Sequence, residues 1–122
     1  MELGESLEDY LEAILVLSEK IEHVRSVDVA SYLGFSKPSV SHAVKLLEKE
    51  GYLSLDSNKF LYLTESGHRL ANETYRRHQF FCEMLEEIGV PKEIAENDAC
   101  HIEHVISQET FDAIQKYYEE RK

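Results

Sequence analysis

The sequence predicts a mainly α fold with one small β-wing. Apolar residues recur at helical spacing through most of the chain. Strand-like alternation is confined to residues 52–63 and is broken by the turn-forming run Asp56-Ser57-Asn58-Lys59. The order is helix, helix, helix, hairpin, helix, with a turn at Gly34 between the second and third helices. A hairpin directly after such a helix pair reads as a winged helix-turn-helix. Only helices follow it. The expected division is one domain over residues 1–70 and a helical one over residues 71–122.

Ser6-Leu7-Glu8-Asp9 reads as a helix start, with Ser6 as cap and the acids at the positive end of the helix dipole. Leu7, Tyr10, Leu11, Ile14, Leu15 and Leu17 give it an apolar face through about Glu22. His23-Val24-Arg25 is a short connection with room for a minimal strand. Ser26 or Val27 opens a second helix, residues 27–33, and Gly34 closes it. Ser36 caps the third, where Pro38 is tolerated because the first-turn N–H has no helical partner. Val40, Val44, Leu46 and Leu47 are its apolar side, and Gly51 ends it. Thr64 caps a fourth helix that runs to about Ile88, stops at Gly89 and bridges the two domains. Pro91 is expected at the first position of a fifth. Ser107 caps a sixth, residues 108–121.

The chain has 122 residues, 43% of them apolar, which suffices for a core and excludes global disorder. No apolar run approaches the roughly 20 residues of a membrane span. The acidic N-terminus lacks the layout of a secretory signal. Two cysteines, Cys82 and Cys100, make no disulfide framework, so a reducing cytoplasm is expected.

The net charge of −11 opposes nucleic-acid binding, but it is unevenly spread. Residues 1–22 carry −6, residues 23–82 carry +2 and residues 83–122 carry −7. A DNA surface must therefore lie in the middle. The third helix begins with Ser36, Lys37, Ser39, Ser41, His42 and Lys45, side chains that suit base edges and phosphates in a major groove. Arg25 and Ser26 before it, and Asn58 and Lys59 at the wing tip, complete the candidate set. An ordinary surface helix is the plain alternative, but it leaves the clustered hydroxyls and cations without a reason.

A second constellation lies at Cys100-His101-Ile102-Glu103-His104. Helical spacing puts Cys100, Glu103 and His104 on one face, and all three are transition-metal ligand types. Asp9 and Glu12 form an acidic pair three residues apart in the first helix, and His78 lies midway along the fourth. These six residues are the candidate metal site. Taken alone, Asp9 and Glu12 would pass for a solvated acidic face. Residues 80–118, rich in Phe, Ile and Tyr, bury too little to stand alone and are expected to form a symmetric homodimer.

The pattern resembles the iron- and manganese-dependent repressors, the diphtheria-toxin-repressor and manganese-transport-regulator family. The resemblance rests on Asp9-Tyr10-Leu11-Glu12, Ser39-Val40, residues 46–53, Leu63-Thr64-Glu65-Ser66-Gly67, Arg77-His78 and, most specifically, residues 97–104. It implies a winged helix-turn-helix DNA-binding domain followed by a helical metal-binding dimerisation domain. It further implies repression of metal-uptake genes through a palindromic operator when metal is replete. Asp9, Glu12, His78, Glu103 and His104 match positions that bind metal in the manganese branch. Cys100 departs from that branch, which has a carboxylate there, and matches the iron branch, which in turn has methionine where this chain has Asp9. Cys82 falls where the family usually has glutamate, so the iron branch's ancillary site is expected to be absent or altered. The chain also stops before the iron branch's third, SH3-like domain. The metal expected is Mn(II) first and Fe(II) second.

Two other readings fit parts of the chain. One is a winged-helix regulator that senses a small molecule or redox state through Cys82 and Cys100. The other is a metalloenzyme, which leaves the winged helix unexplained, and no phosphate loop, nucleophile elbow or H-E-x-x-H motif occurs.

Overall fold

The structure, a computed structural model, describes residues 5–121, with side chains from residue 7 onward. The elements in order are α1 (Glu5–Lys20), α2 (Ser26–Leu33), α3 (Lys37–Lys49), β1 (Leu53–Leu55), β2 (Leu61–Leu63), α4 (Glu65–Glu87), α5 (Lys92–Val105) and α6 (Gln108–Glu120). The chain divides into two compact units, Met1–Glu73 and Thr74–Lys122, with the boundary inside α4. Among the described residues, no helix is long and apolar enough to cross a membrane.

In the first unit, α1 packs on α2 and α3 and against β2. Tyr10, Leu11, Ile14 and Leu15 are buried, as the apolar period requires, while Leu7 and Leu17 at its margins are half-buried. The helix begins at Glu5, so Ser6 is already helical and is not its cap; the Ser6 side chain lies outside the described residues. Val24 supplies no strand among the described elements. Its carbonyl nevertheless accepts the Leu61 N–H at 2.8 Å, a single ladder-like bond to β2. Arg25 is the cap residue of α2, and its N–H donates to the Asp28 carboxylate at 2.9 Å. Gly34 ends α2 at φ 73°, a left-handed conformation that suits glycine.

Ser36 caps α3 by accepting the Ser39 N–H at 3.3 Å. Val40, Ala43, Val44 and Leu47 are its buried side; Leu46 is only half-buried. The helix closes at Glu50, one residue before the glycine, and Gly51 takes φ 85°. Strands β1 and β2 pair antiparallel, Leu53 opposite Leu63 and Leu55 opposite Leu61, so Leu53 and Leu61 face the core. Thr64 caps α4 by accepting the Gly67 N–H at 3.1 Å, and its hydroxyl donates to the Gly51 carbonyl at 2.6 Å. A Cβ on Gly67 would collide with the Tyr52 carbonyl, so only glycine lets α4 start this close to β1.

In the second unit, Phe81, Ala99 and Phe111 form the buried centre, with Phe80, Cys82, Met84, Ile102 and Ile106 packed around it. Phe80 meets Phe81, Phe111 and Tyr118 edge-on at 5.3, 5.4 and 5.7 Å between centroids. Pro91 is the cap residue of α5 rather than its first helical residue. Ser107 caps α6 by accepting the Thr110 N–H at 3.1 Å.

Candidate metal centre and nucleic-acid interface

Glu103 sits on the inner face of α5, and its side chain is fully buried. Burying a carboxylate costs several kcal/mol unless it is compensated. Two imidazoles lie against it. His78 Nδ1 on α4 lies 2.9 Å from one Glu103 oxygen, and His104 Nε2 lies 3.2 Å from the other. Cys100, one turn before His104 on α5, completes the cluster. Ligand atoms of His78, Cys100 and Glu103 all lie within 4.8 Å of one another. Two atoms each bound about 2.0–2.3 Å from a shared ion are at most about 4.6 Å apart. Nitrogen, sulfur and oxygen donors at this spacing fit a divalent transition metal.

Arg77, the neighbour of His78, fixes the α5–α6 corner. Its guanidinium donates to the Glu103 carbonyl at 3.2 Å, the Ile106 carbonyl at 3.0 Å and the Gln108 side-chain oxygen at 2.6 Å, and lies over the Phe111 ring at 5.4 Å. The carbonyls at the end of α5 lack helical partners, and Arg77 supplies them. In the sequence Arg77 stands out only through the Arg77-His78 pair. Its partners lie 26 to 31 positions away, so no local pattern announces the role.

Asp9 and Glu12 belong to the first unit. They lie three residues apart on α1, both half-buried, on one helical face. His101 turns to its own helix, with Nδ1 2.8 Å from the Asn97 carbonyl.

The first unit gathers the predicted DNA residues on two faces. On α3, Ser36, Lys37, Ser39, Ser41, His42 and Lys45 are all exposed, opposite the buried Val40–Val44–Leu47 side. Arg25, Ser26, Asn58 and Lys59 line one groove of about 280 Å³ together with Val27. Lys59 holds φ 64°, the left-handed conformation of the turn. Asp56 anchors that turn: it accepts the Asn58 and Phe60 N–H groups at 2.9 and 3.0 Å and the Tyr62 hydroxyl at 3.1 Å. The Phe60 N–H, foremost among these, holds the Asp56 carboxyl below the usual aspartate range. Partial desolvation and the Asp56 bond push the Tyr62 hydroxyl up. Arg25 lies over the Phe60 ring at 4.8 Å and His23 stacks on the same ring at 4.3 Å. Sequence reading took Asp56 only as a turn residue; the Asp-x-Asn pattern of an Asx-turn was the available signal.

A winged helix with an exposed cationic recognition helix, joined in one chain to a partly buried imidazole–thiol–carboxylate cluster, defines a class: metal-dependent DNA-binding transcriptional regulators. The profile "Iron dependent repressor, N-terminal DNA binding domain" matches residues 2–60, and "Iron dependent repressor, metal binding and dimerisation domain" matches residues 64–122. The chain belongs to the iron-dependent repressor family. Transcriptional regulator MntR of Salmonella typhimurium is 39% identical over 109 residues, 89% of this chain and 69% of that protein. The HTH-type transcriptional regulator MntR of Bacillus subtilis is 35% identical over 118 residues, 94% of this chain and 83% of that protein. Among solved structures, the manganese regulator SloR superposes with a TM-score of 0.82 at 28% identity, covering 98% of this chain and 55% of that one. A manganese-dependent transcriptional repressor in complex with manganese gives 0.81 at 26% identity, covering 91% and 51%. The chain thus spans about half the length of these two solved chains.

Proposed function

We propose that this chain represses manganese- and iron-uptake genes by binding a palindromic operator when Mn(II), or secondarily Fe(II), occupies a site formed by Asp9, Glu12, His78, Cys100, Glu103 and His104. The observation that carries this is the fully buried Glu103 carboxylate flanked by His78 and His104, with Cys100 in the same cluster. The regulators MntR and SloR, to which the chain is similar, support manganese as the first metal.

Asp9, Glu12 and Glu103 repel one another when brought close, and desolvating them adds to the cost. A bound divalent cation supplies the charge that offsets both. Occupancy therefore favours the arrangement in which α1 contributes its two carboxylates, and only such differential affinity shifts the population. That arrangement sets the separation of two recognition helices in a homodimer formed through residues 80–118. The half-sites then lie about one DNA turn, ~34 Å, apart. Arg25, Ser26, Asn58 and Lys59 contact backbone phosphates, while Ser36, Lys37, Ser39, Ser41, His42 and Lys45 meet the major groove. The site of action is the cytoplasm.

The test is calorimetric titration of Mn(II) into the wild-type chain and the Glu103→Gln and His78→Ala variants. Loss of an inner ligand should weaken binding by more than the ~10–100-fold typical of an outer partner. Both variants should also lose metal-stimulated DNA binding. Variants that retain it would contradict the assignment and favour the cysteine-sensing alternative.

A further inference from the structure

We propose that Cys82 is a positioning residue of the metal centre: its sulfur holds the Nε2 side of His78, so that Nδ1 stays turned toward Glu103. This rests on the metal-centre reading above. Cys82 follows His78 by one turn of α4, on the same face. Its Sγ lies 3.4 Å from His78 Nε2, while His78 Nδ1 lies 2.9 Å from Glu103. Both ring nitrogens thus have a named neighbour, and a flip of the ring would break both contacts at once. A metal-bound histidine ordinarily gives its outer N–H to a carboxylate, a carbonyl or water, and this partner sets ring orientation. Here sulfur stands in that place. Sulfur is a weak acceptor, so its main effect is to fix the ring rather than to raise its basicity.

The two thiols consequently have different jobs. Cys100 belongs to the set of ligand atoms within 4.8 Å of one another, together with His78 and Glu103. Cys82 acts from the far side of the imidazole. The packing of Cys82 against the Phe81–Ala99–Phe111 centre keeps its sulfur in place. Packing is also the competing explanation, because a half-buried cysteine behaves as a small hydrophobe.

Co(II) titration of the full chain separates these roles, with optical absorption reporting both affinity and thiolate coordination. Wild type should show a sulfur-to-cobalt charge-transfer band, and Cys100→Ser should lose it. Cys82→Ser, which keeps an acceptor, should keep the band and bind within about threefold of wild type. Cys82→Val, which keeps the packing and removes the acceptor, should keep the band and bind ~10–100-fold more weakly. Wild-type affinity in Cys82→Val would overturn the proposal and mark a packing role; weakening of Cys82→Ser to the level of Cys82→Val would overturn it too, by showing that an acceptor at this position does not suffice. A band diminished in Cys82→Ser would overturn it too, by making Cys82 a ligand. A wild-type chain that takes up no Co(II) would overturn the metal centre itself, and this inference with it.

Discussion

Arg77 and Glu103 show how single side chains set the chemistry of the second unit. Arg77 reaches three acceptors around the α5–α6 corner, and one of them is the carbonyl of the buried Glu103. Hydrogen bonds from charged donors are worth about 1.5–3 kcal/mol each, and they share one guanidinium here, so they do not add. Arg77→Ala should therefore cost about 2–4 kcal/mol in urea denaturation. Arg77→Lys should recover only part, because an ammonium lacks the planar fork. The residue types of the candidate cluster were legible in the sequence, since Cys100, Glu103 and His104 share a helical face. The partners of Arg77 and the neighbour of His78 were not. Arg77 is fixed by long-range fold contacts that spacing does not encode, and although Cys82 follows His78 by one helical turn, which imidazole nitrogen meets its sulfur is set by ring orientation.

Among the elements, the wing and the start of α4 make separate predictions. Asp56 has a depressed folded-state pKa. Its contribution is therefore complete above the unfolded value, about 3.9, and is lost as pH falls through the lower folded value. The amide resonances of Asn58 and Phe60 should stay constant from neutral pH down to about 5 and titrate with a midpoint below ~3.9. A midpoint above that value would contradict the anchoring role. Gly67 poses a contest of magnitudes. Alanine would gain up to ~1 kcal/mol of helix propensity. The collision, however, is with the Tyr52 carbonyl, which already accepts the Thr64 N–H at 3.1 Å and cannot easily yield. Overpacking wins, and Gly67→Ala should destabilise the chain by about 1–3 kcal/mol in thermal unfolding. Element types and order were readable from periodicity and turn chemistry. The boundaries at Ser6 and Pro91 were missed by a residue or two, the usual margin at helix ends.

At the scale of the whole molecule, charge and self-association decide function. The chain carries −11, and exposed cations lie on α3 and at the wing, so the proposed DNA binding would depend on them. The second unit keeps large apolar side chains in solvent, Ile88 at 68% and Val105 at 79% exposure. Exposed apolar groups of this size suit a partner surface. Ile88→Glu combined with Val105→Glu should convert the homodimer to monomer in analytical ultracentrifugation while leaving helicity intact. An unchanged sedimentation coefficient would move the interface away from these residues. The central claim is that metal governs DNA binding. Its most direct test is selection of duplexes from a random-sequence pool by the metal-free chain and by the same chain with Mn(II), Fe(II) or Zn(II). The account predicts that Mn(II), and less strongly Fe(II), enriches a two-fold symmetric sequence with half-sites about one turn apart, and that the metal-free chain enriches none. Enrichment of the same sequence without metal, or indifference to every metal, would contradict it.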